Sequence, residues 1–346
     1  MRIAVIGAGL AGRQHIEVIK RNKTCKLDFI VDPSDESIEF CRKNDFSHFP
    51  NIAKALATRE PDGAIIATPN SLHLEHALDF IDREIPILVE KPLSSNFESA
   101  LSIVQYAKKK NVDLLTGHHR RHNKIITKAK NTIDSGQLGR LVSSHSMCWL
   151  FKPDDYFNSW RNCVSGGPVL INLTHDIDLM RYLIGEIESV HSFESNTNRK
   201  GEVEDSAVVN LRYENGTIGT LSISDTIVAP WSWENTSGEN PVYPNQKESC
   251  YWIGGTHGSL ELPQLKSWES LNERSWWKPI YSNQSPTDKS INQPLSAQLD
   301  NFISVVQGKE EPVCSGKDGL KTLLVVEAIK LSARIGKAVE PKKIQS

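Results

Sequence analysis

Through the first third of the chain, short unbroken apolar runs alternate with stretches whose apolar positions recur every three to four residues. The runs are Arg2 to Ile6, "CKLDFIVD" ending at Asp32, "GAIIAT" at 63 to 68, "IPILVE" at 85 to 90 and "VDLLTG" ending at Gly117. Helical spacing follows through Ile16 and Ile19, from Leu72 to Arg83 and from Asn96 to Lys110. Continuous apolar strands separated by helices predict a parallel sheet covered on both faces. From Arg140 onward the period changes to two: "RLVSSHSMCW", "IESVHSFESN", "SAVVNLRYE" and "IGTLSISDTI", with Asn215-Gly216 as a hairpin turn, predict an antiparallel sheet. Helices from Leu295 to Gln307 and from Asp318 to Arg334 close the chain, some of them expected to return to the first core.

The turn after the first strand reads Gly7-Ala8-Gly9-Leu10-Ala11-Gly12 and leads directly into a helix. In that setting G-x-G-x-x-G is a dinucleotide fingerprint. Gly7 makes the tight turn, Gly9 lets the backbone approach a pyrophosphate, and Gly12 lets helix and strand pack closely. The pyrophosphate is expected on the free N–H groups of the helix N-terminus. Asp32 ends the second strand, where a carboxylate can accept hydrogen bonds from an adenosine ribose, or can cap the helix that starts near Ser34. A carboxylate there repels a 2'-phosphate, so NAD is the expected cofactor and NADP the less favoured one. Ligands of such sheets lie beyond the carboxyl ends of the strands. Those ends carry Thr68-Pro69-Asn70, Glu90-Lys91-Pro92 and Gly117-His118-His119.

A chain of 346 residues suits two domains better than one. The expected division is an NAD-binding Rossmann domain over 1–120 and a substrate and oligomerisation domain over 121–346. Lys and Arg are scattered and the net charge is only -2, which argues against a nucleic-acid partner. No apolar stretch suggests a membrane span. Six widely spaced cysteines without C-x-x-C read as reduced thiols, and the expected location is the cytoplasm. His73, His118, His119 and His122 lack the spacing of a metal site, and no metal is expected.

The segments "GAGLAGRQH", "TPNSLH", "EKPL", "GHHRRHN", "GGPVLINLTHDIDL" and "GTHGSLELP" resemble, in order and spacing, the glucose-fructose oxidoreductase, inositol dehydrogenase and rhizopine-catabolism (Gfo/Idh/MocA) family. The resemblance implies a Rossmann domain followed by an α/β domain built on a large, mostly antiparallel open sheet, with substrate and nicotinamide between the two. It also implies that Lys91 is the catalytic lysine and His175 the catalytic histidine. Thr68, Pro69, Asn70, His73, Glu90 and Lys91 itself join the glycine-rich turn and Asp32 as expected cofactor-binding residues. Two positions depart from the family pattern. Ile171 stands where an aspartate is usual, with Asn172 its nearest polar neighbour, and Lys124 replaces a proline.

Oxidising a secondary alcohol requires a proton acceptor, which suits His175, and stabilisation of developing alkoxide charge, which suits Lys91. Asp178 either orients His175 or pairs with Arg181. Arg121 and Asn123 are expected to face the substrate, as are Trp160 and Arg161 of "SWR" and, beside His175, Asn172. Trp231 and Trp233 of "PWSWE" share one face of an extended segment, where indoles could pack on the C–H faces of a sugar or serve as core anchors. Arg121 and Arg161 could hold a carboxylate. The expected function is therefore NAD-dependent oxidation of a cyclitol, sugar or sugar acid. The alternatives are a glycoside-cleaving enzyme of the same family that uses NAD catalytically, and a non-catalytic NAD- or sugar-sensing regulator. A homodimer or homotetramer through the second sheet is expected, because an open sheet face seeks cover.

Overall fold

The computed structural model describes residues 1–157, 166–270, 273–285 and 293–345. The chain divides into two units, Met1–His122 with Gln293–Leu323, and Asn123–Asn292 with Leu324–Ser346.

The first unit is built on strands β1 (Arg2–Ile6), β2 (Lys26–Val31), β3 (His48–Phe49), β4 (Gly63–Ile66), β5 (Ile87–Glu90) and β6 (Leu114–Gly117). All pairs are parallel and the order is β3-β2-β1-β4-β5-β6, so the direction of winding reverses between β1 and β4. That reversal opens a crevice at the carboxyl ends of the strands. Helices α1 (Leu10–Arg21), α2 (Asp35–Lys43), α3 (Ile52–Leu56), α4 (His73–Ile81) and α5 (Phe97–Lys110) connect the strands. Ser34, Asn51 and Asn96 cap α2, α3 and α5 by accepting from backbone N–H groups, which sets where each helix begins. Asn111 then ends α5 in the left-handed conformation.

Counting along the chain, α9 (Pro294–Val306) also belongs to this unit, as does the start of α10 (Gly316–Ile335). Leu299, Phe302, Ile303 and Val305 of α9 complete a core formed by β1, α1 and their neighbours. One of the closing helices thus joins the first core, across the expected division at 120/121. Its periodicity shows an apolar face but not which sheet that face covers. Phe302 is fully buried, so Phe302→Ala should destabilise the first unit by about 3–5 kcal/mol, measured by urea unfolding followed through loss of dinucleotide binding.

The second unit carries β7 (Leu141–Trp149), β8 (Ile187–Ser195), β9 (Ser206–Tyr213), β10 (Ile218–Ser224), β11 (Tyr251–Gly255), β12 (Gly258–Leu262), β13 (Lys266–Glu269) and β14 (Tyr281–Gln284). They form one sheet in the order β14-β13-β12-β11-β7-β10-β9-β8. Every pair is antiparallel except β7 with β10. Strands β11 to β14 escape the alternation rule because they are short and interrupted by glycine and polar residues. One face packs against α6 (Lys124–Asp134), α7 (Thr174–Ile184) and the end of α10. Along β9 burial alternates residue by residue, and Val208 on the other face is half exposed, as are Phe193 and Ile218.

Candidate functional site

The carboxyl edge of the first sheet gathers most of the residues singled out in the first half. Gly7 has φ +93°, and a Cβ there would lie 2.6 Å from the Ala67 carbonyl oxygen. A Cβ on Gly12 would lie 1.9 Å from the Gly7 oxygen, so the helix meets the turn only through glycine. At Gly9, by contrast, an added Cβ meets nothing within 4 Å. Gly9 is the N-cap of α1 and supplies no side-chain cap, and no acidic residue stands in the first turn. Ala8 is buried, Ala11 half-buried and Leu10 exposed. Asp32 accepts from the Ala8 N–H at 2.8 Å through one oxygen, and from the Ser34 N–H and hydroxyl at 2.9 and 2.6 Å through the other. Burial would raise its pKa, but the Ser34 hydroxyl and the two backbone N–H groups outweigh that and keep it below the usual range. The cap of α2 is Ser34, so Asp32 braces both the glycine turn and the start of α2. An uncapped helix N-terminus, open space at Gly9 and a carboxylate at the end of β2 fit a dinucleotide: the N–H groups of α1 suit its pyrophosphate and Asp32 its adenosine ribose.

After β4, Thr68, Pro69 and Asn70 lead through a 3-10 turn into α4. His73 opens α4 and is fully buried. Its Nε2 lies 2.9 Å from the Thr68 carbonyl, and its Nδ1 lies 3.1 and 3.3 Å from those of Pro92 and Leu93. Both ring nitrogens thus face the backbone, and His73 ties the loop after β4 to the loop after β5. Burial lowers its pKa, so at neutral pH a single N–H serves these carbonyls.

At the end of β5, one Glu90 oxygen lies 2.7 Å from His15 Nε2, and the other accepts from the Lys91 backbone N–H at 3.1 Å. Gly117 pairs with Glu90 across β5 and β6; a Cβ there would lie 2.9 Å from the Glu90 carboxyl carbon. Glycine at 117 therefore makes room for the carboxylate. Lys91, joined to Pro92 by a cis bond, begins the loop that leaves this strand. Burial alone would raise the Glu90 pKa, but the hydrogen bond and charge of His15, with His119 and Lys91 nearby, hold it down at about 2.

Sequence reasoning missed His15 and Gly117 as site residues. Both lie in quoted motifs, but only the fold brings them to Glu90. Because the folded Glu90 titrates below an unfolded glutamate, its stabilisation is full above the ordinary carboxylate range and is lost as pH falls toward about 2. His15→Leu should raise that titration and move the acid-side loss of Tm to higher pH, measured by thermal unfolding from pH 6 to 2.5. An unchanged acid limb would show that His15 does not hold the carboxylate.

Arg121 is buried; it donates to the Val313 carbonyl at 3.1 Å and lies 3.5 Å from an Asp318 oxygen.

In the second unit His175 stands in the first turn of α7, directly after a π-helical turn, Val169–Leu173. Such turns hold an extra residue per loop and recur at functional positions. The turn is anchored at its start: Glu204 accepts from the Val169 N–H at 2.9 Å and is bound by Lys330 at 2.5 Å. Gly167, with φ +87°, leaves room for that carboxylate. Further along, Tyr251 donates to Asp176, and Arg181 pairs with Glu186 at 3.0 Å. Asn172 accepts from Lys152 Nζ at 2.6 Å and donates to Glu234 at 3.4 Å.

Asn123 is fully buried; its side-chain oxygen caps α6 and its amide donates to Glu239 at 2.8 Å. Trp231 and Trp233 do not share a face. Ser232 caps the short helix α8 (Trp233–Thr236), which turns Trp233 into the core, stacked on Tyr251, while Trp231 meets Trp149 edge-on. Trp160 and Arg161 lie outside the described residues. Among the described residues no group of three or more His, Cys, Asp or Glu gathers at metal-binding range, and no helix is long and apolar enough to cross a membrane.

An NAD-type edge in one unit and a lysine-terminated β5 beside it define the class, a dinucleotide-dependent oxidoreductase. The chain belongs to the Gfo/Idh/MocA oxidoreductase family: residues 1–118 match its NAD-binding Rossmann fold and residues 130–340 its C-terminal alpha/beta domain. It is 24% identical to the myo-inositol 2-dehydrogenase of Thermotoga maritima, covering 99% of each chain. It is also 24% identical to the rhizopine catabolism protein MocA of Rhizobium meliloti, over 94% of this chain and 93% of that one. In fold it is similar to the WlbA dehydrogenase of Bordetella pertussis, solved with NADH and UDP-GlcNAcA, with a TM-score of 0.81, 24% identity and coverage of 98% and 97%.

Proposed function

We propose that the protein is an NAD-dependent dehydrogenase that oxidises a secondary hydroxyl of a cyclitol, sugar or sugar acid. The observation that carries this reading is the end of β5, where a half-buried carboxylate, held by His15, fixes the backbone N–H of Lys91 in the same sheet edge as the glycine-rich turn. The family and the names of its relatives, which include an inositol dehydrogenase, support a polyhydroxylated substrate.

The bound nicotinamide supplies the two-electron acceptor. The ammonium of Lys91 orients the reacting hydroxyl and stabilises the negative charge that grows on its oxygen. The imidazole of His175 accepts the hydroxyl proton. Ile171 stands where the family usually has an aspartate, and Asn172 beside it on the turn before His175 is a neutral donor and acceptor.

A panel of polyols and sugar acids, assayed with NAD by absorbance of NADH, tests the reaction. On the substrate so found, Lys91→Ala should lower kcat about 100- to 1000-fold. Turnover that survives this substitution contradicts the role of Lys91.

The open face of the second sheet, with Phe193, Val208 and Ile218 exposed on neighbouring strands, supports a homodimer or homotetramer formed through that face. Val208→Glu should reduce the mass measured by light scattering to that of the monomer. An unchanged assembly would exclude this surface.

A further inference from the structure

Lys152 lies beyond the end of β7, and its side chain is turned inward; the residue is only 6% exposed. Its ammonium donates to Asn172 Oδ1 at 2.6 Å and sits 4.8 Å from the centre of the Tyr156 ring. Among the described residues it forms no ion pair. The two acids nearest it have other contacts: Asp225 accepts from Arg199 Nε at 2.8 Å, and one Glu234 oxygen accepts from the Asn172 amide at 3.4 Å. Burial accordingly pushes the Lys152 pKa down, against the opposing pull of Asp225, Cys148 and Glu234, with Arg199 adding to the fall.

A buried ammonium without a counter-ion is costly, and one hydrogen bond with one aromatic face recovers only part of that cost. The group retains donor capacity, since an ammonium has three N–H bonds and one is used on Asn172. Asn172 is half-buried and lies on the π-helical turn that runs into His175. Its amide N–H holds Glu234 only at 3.4 Å, a long bond that can be redirected. Two donors at this spot, an ammonium and an amide, match the two oxygens of a carboxylate. A phosphate would bring a second negative charge against Glu234, which disfavours it.

We propose that Lys152, with Asn172, forms the subsite for a carboxylate on the substrate, so that the natural substrate is a sugar acid or another polyhydroxylated acid rather than a neutral polyol. This rests on the dehydrogenase reading above for its location beside His175, but its test needs no turnover.

The test is equilibrium binding to the NADH-loaded protein of matched pairs that differ only in the acid group: glucose and glucuronate, galactose and galacturonate, mannose and mannuronate. At least one acid should bind about 10- to 100-fold more tightly than its neutral partner, the range of a charged hydrogen bond. In Lys152→Met that ratio should fall to near one, and Lys152→Arg should retain part of it. Unchanged NADH affinity and Tm establish that the variants are folded, and Lys152→Gln replaces Met if the latter does not fold. No acid preference in any pair, no acid binding at all, or a preference that survives loss of the ammonium overturns the proposal. Loss of turnover in Lys91→Ala does not bear on this ratio, so failure of the subsite and failure of the dehydrogenase reading are told apart.

Discussion

The carboxylate of Glu90 is the constraint around which the first unit's site is arranged. It ends a strand whose other three residues are fully buried, and a charge at that depth persists only where donors surround it. His15 supplies one from α1, and the following residue's own N–H supplies another. Because His15 follows the glycine turn on the same helix, one hydrogen bond links the dinucleotide-binding turn to the strand end that presents Lys91. Gly117 and His73 complete the arrangement, the first by absence of a side chain and the second by binding the loops after β4 and β5. The opening of each loop is therefore fixed by buried contacts within a single sheet edge.

Much of this was legible in the sequence, for identifiable reasons. Unbroken apolar runs between helical stretches specify a parallel sheet, and the glycine spacing specifies its first turn, so Gly7, Gly9, Gly12 and Asp32 fall where pattern put them. What pattern does not carry is which distant side chain meets which. His15 was visible only as part of a motif, and nothing in the spacing pairs it with Glu90, 75 residues away. Helix α9 read as amphipathic, but its place in the first core depends on tertiary packing. Trp231 and Trp233 looked like neighbours on an extended face, because alternation was assumed to run through Ser232; that serine instead starts a helix and buries one ring. The partners of Arg121 and Asn123, among them Asp318 and the start of α6, are likewise not written in one dimension.

In the second unit the departure from the family pattern at Ile171 coincides with a π-helical turn, and Asn172, singled out by sequence, lies on that turn. Its partner Lys152 was not singled out by sequence at all, since a lysine after a strand is ordinarily a solvated residue. Buried and in no direct ion pair among the described residues, it differs from Lys330, whose ammonium is matched by Glu194 and Glu204 and serves to anchor the same turn.

The central claim is that the ammonium of Lys91 and the imidazole of His175 act on one proton transfer in one reaction. The most direct measurement is a double-mutant cycle on kcat for NADH formation, with Lys91→Ala, His175→Ala and both together. Groups acting as a unit are strongly non-additive, so the double variant should be only a few-fold slower than the slower single one. Losses that multiply fully would show two independent roles and contradict the account.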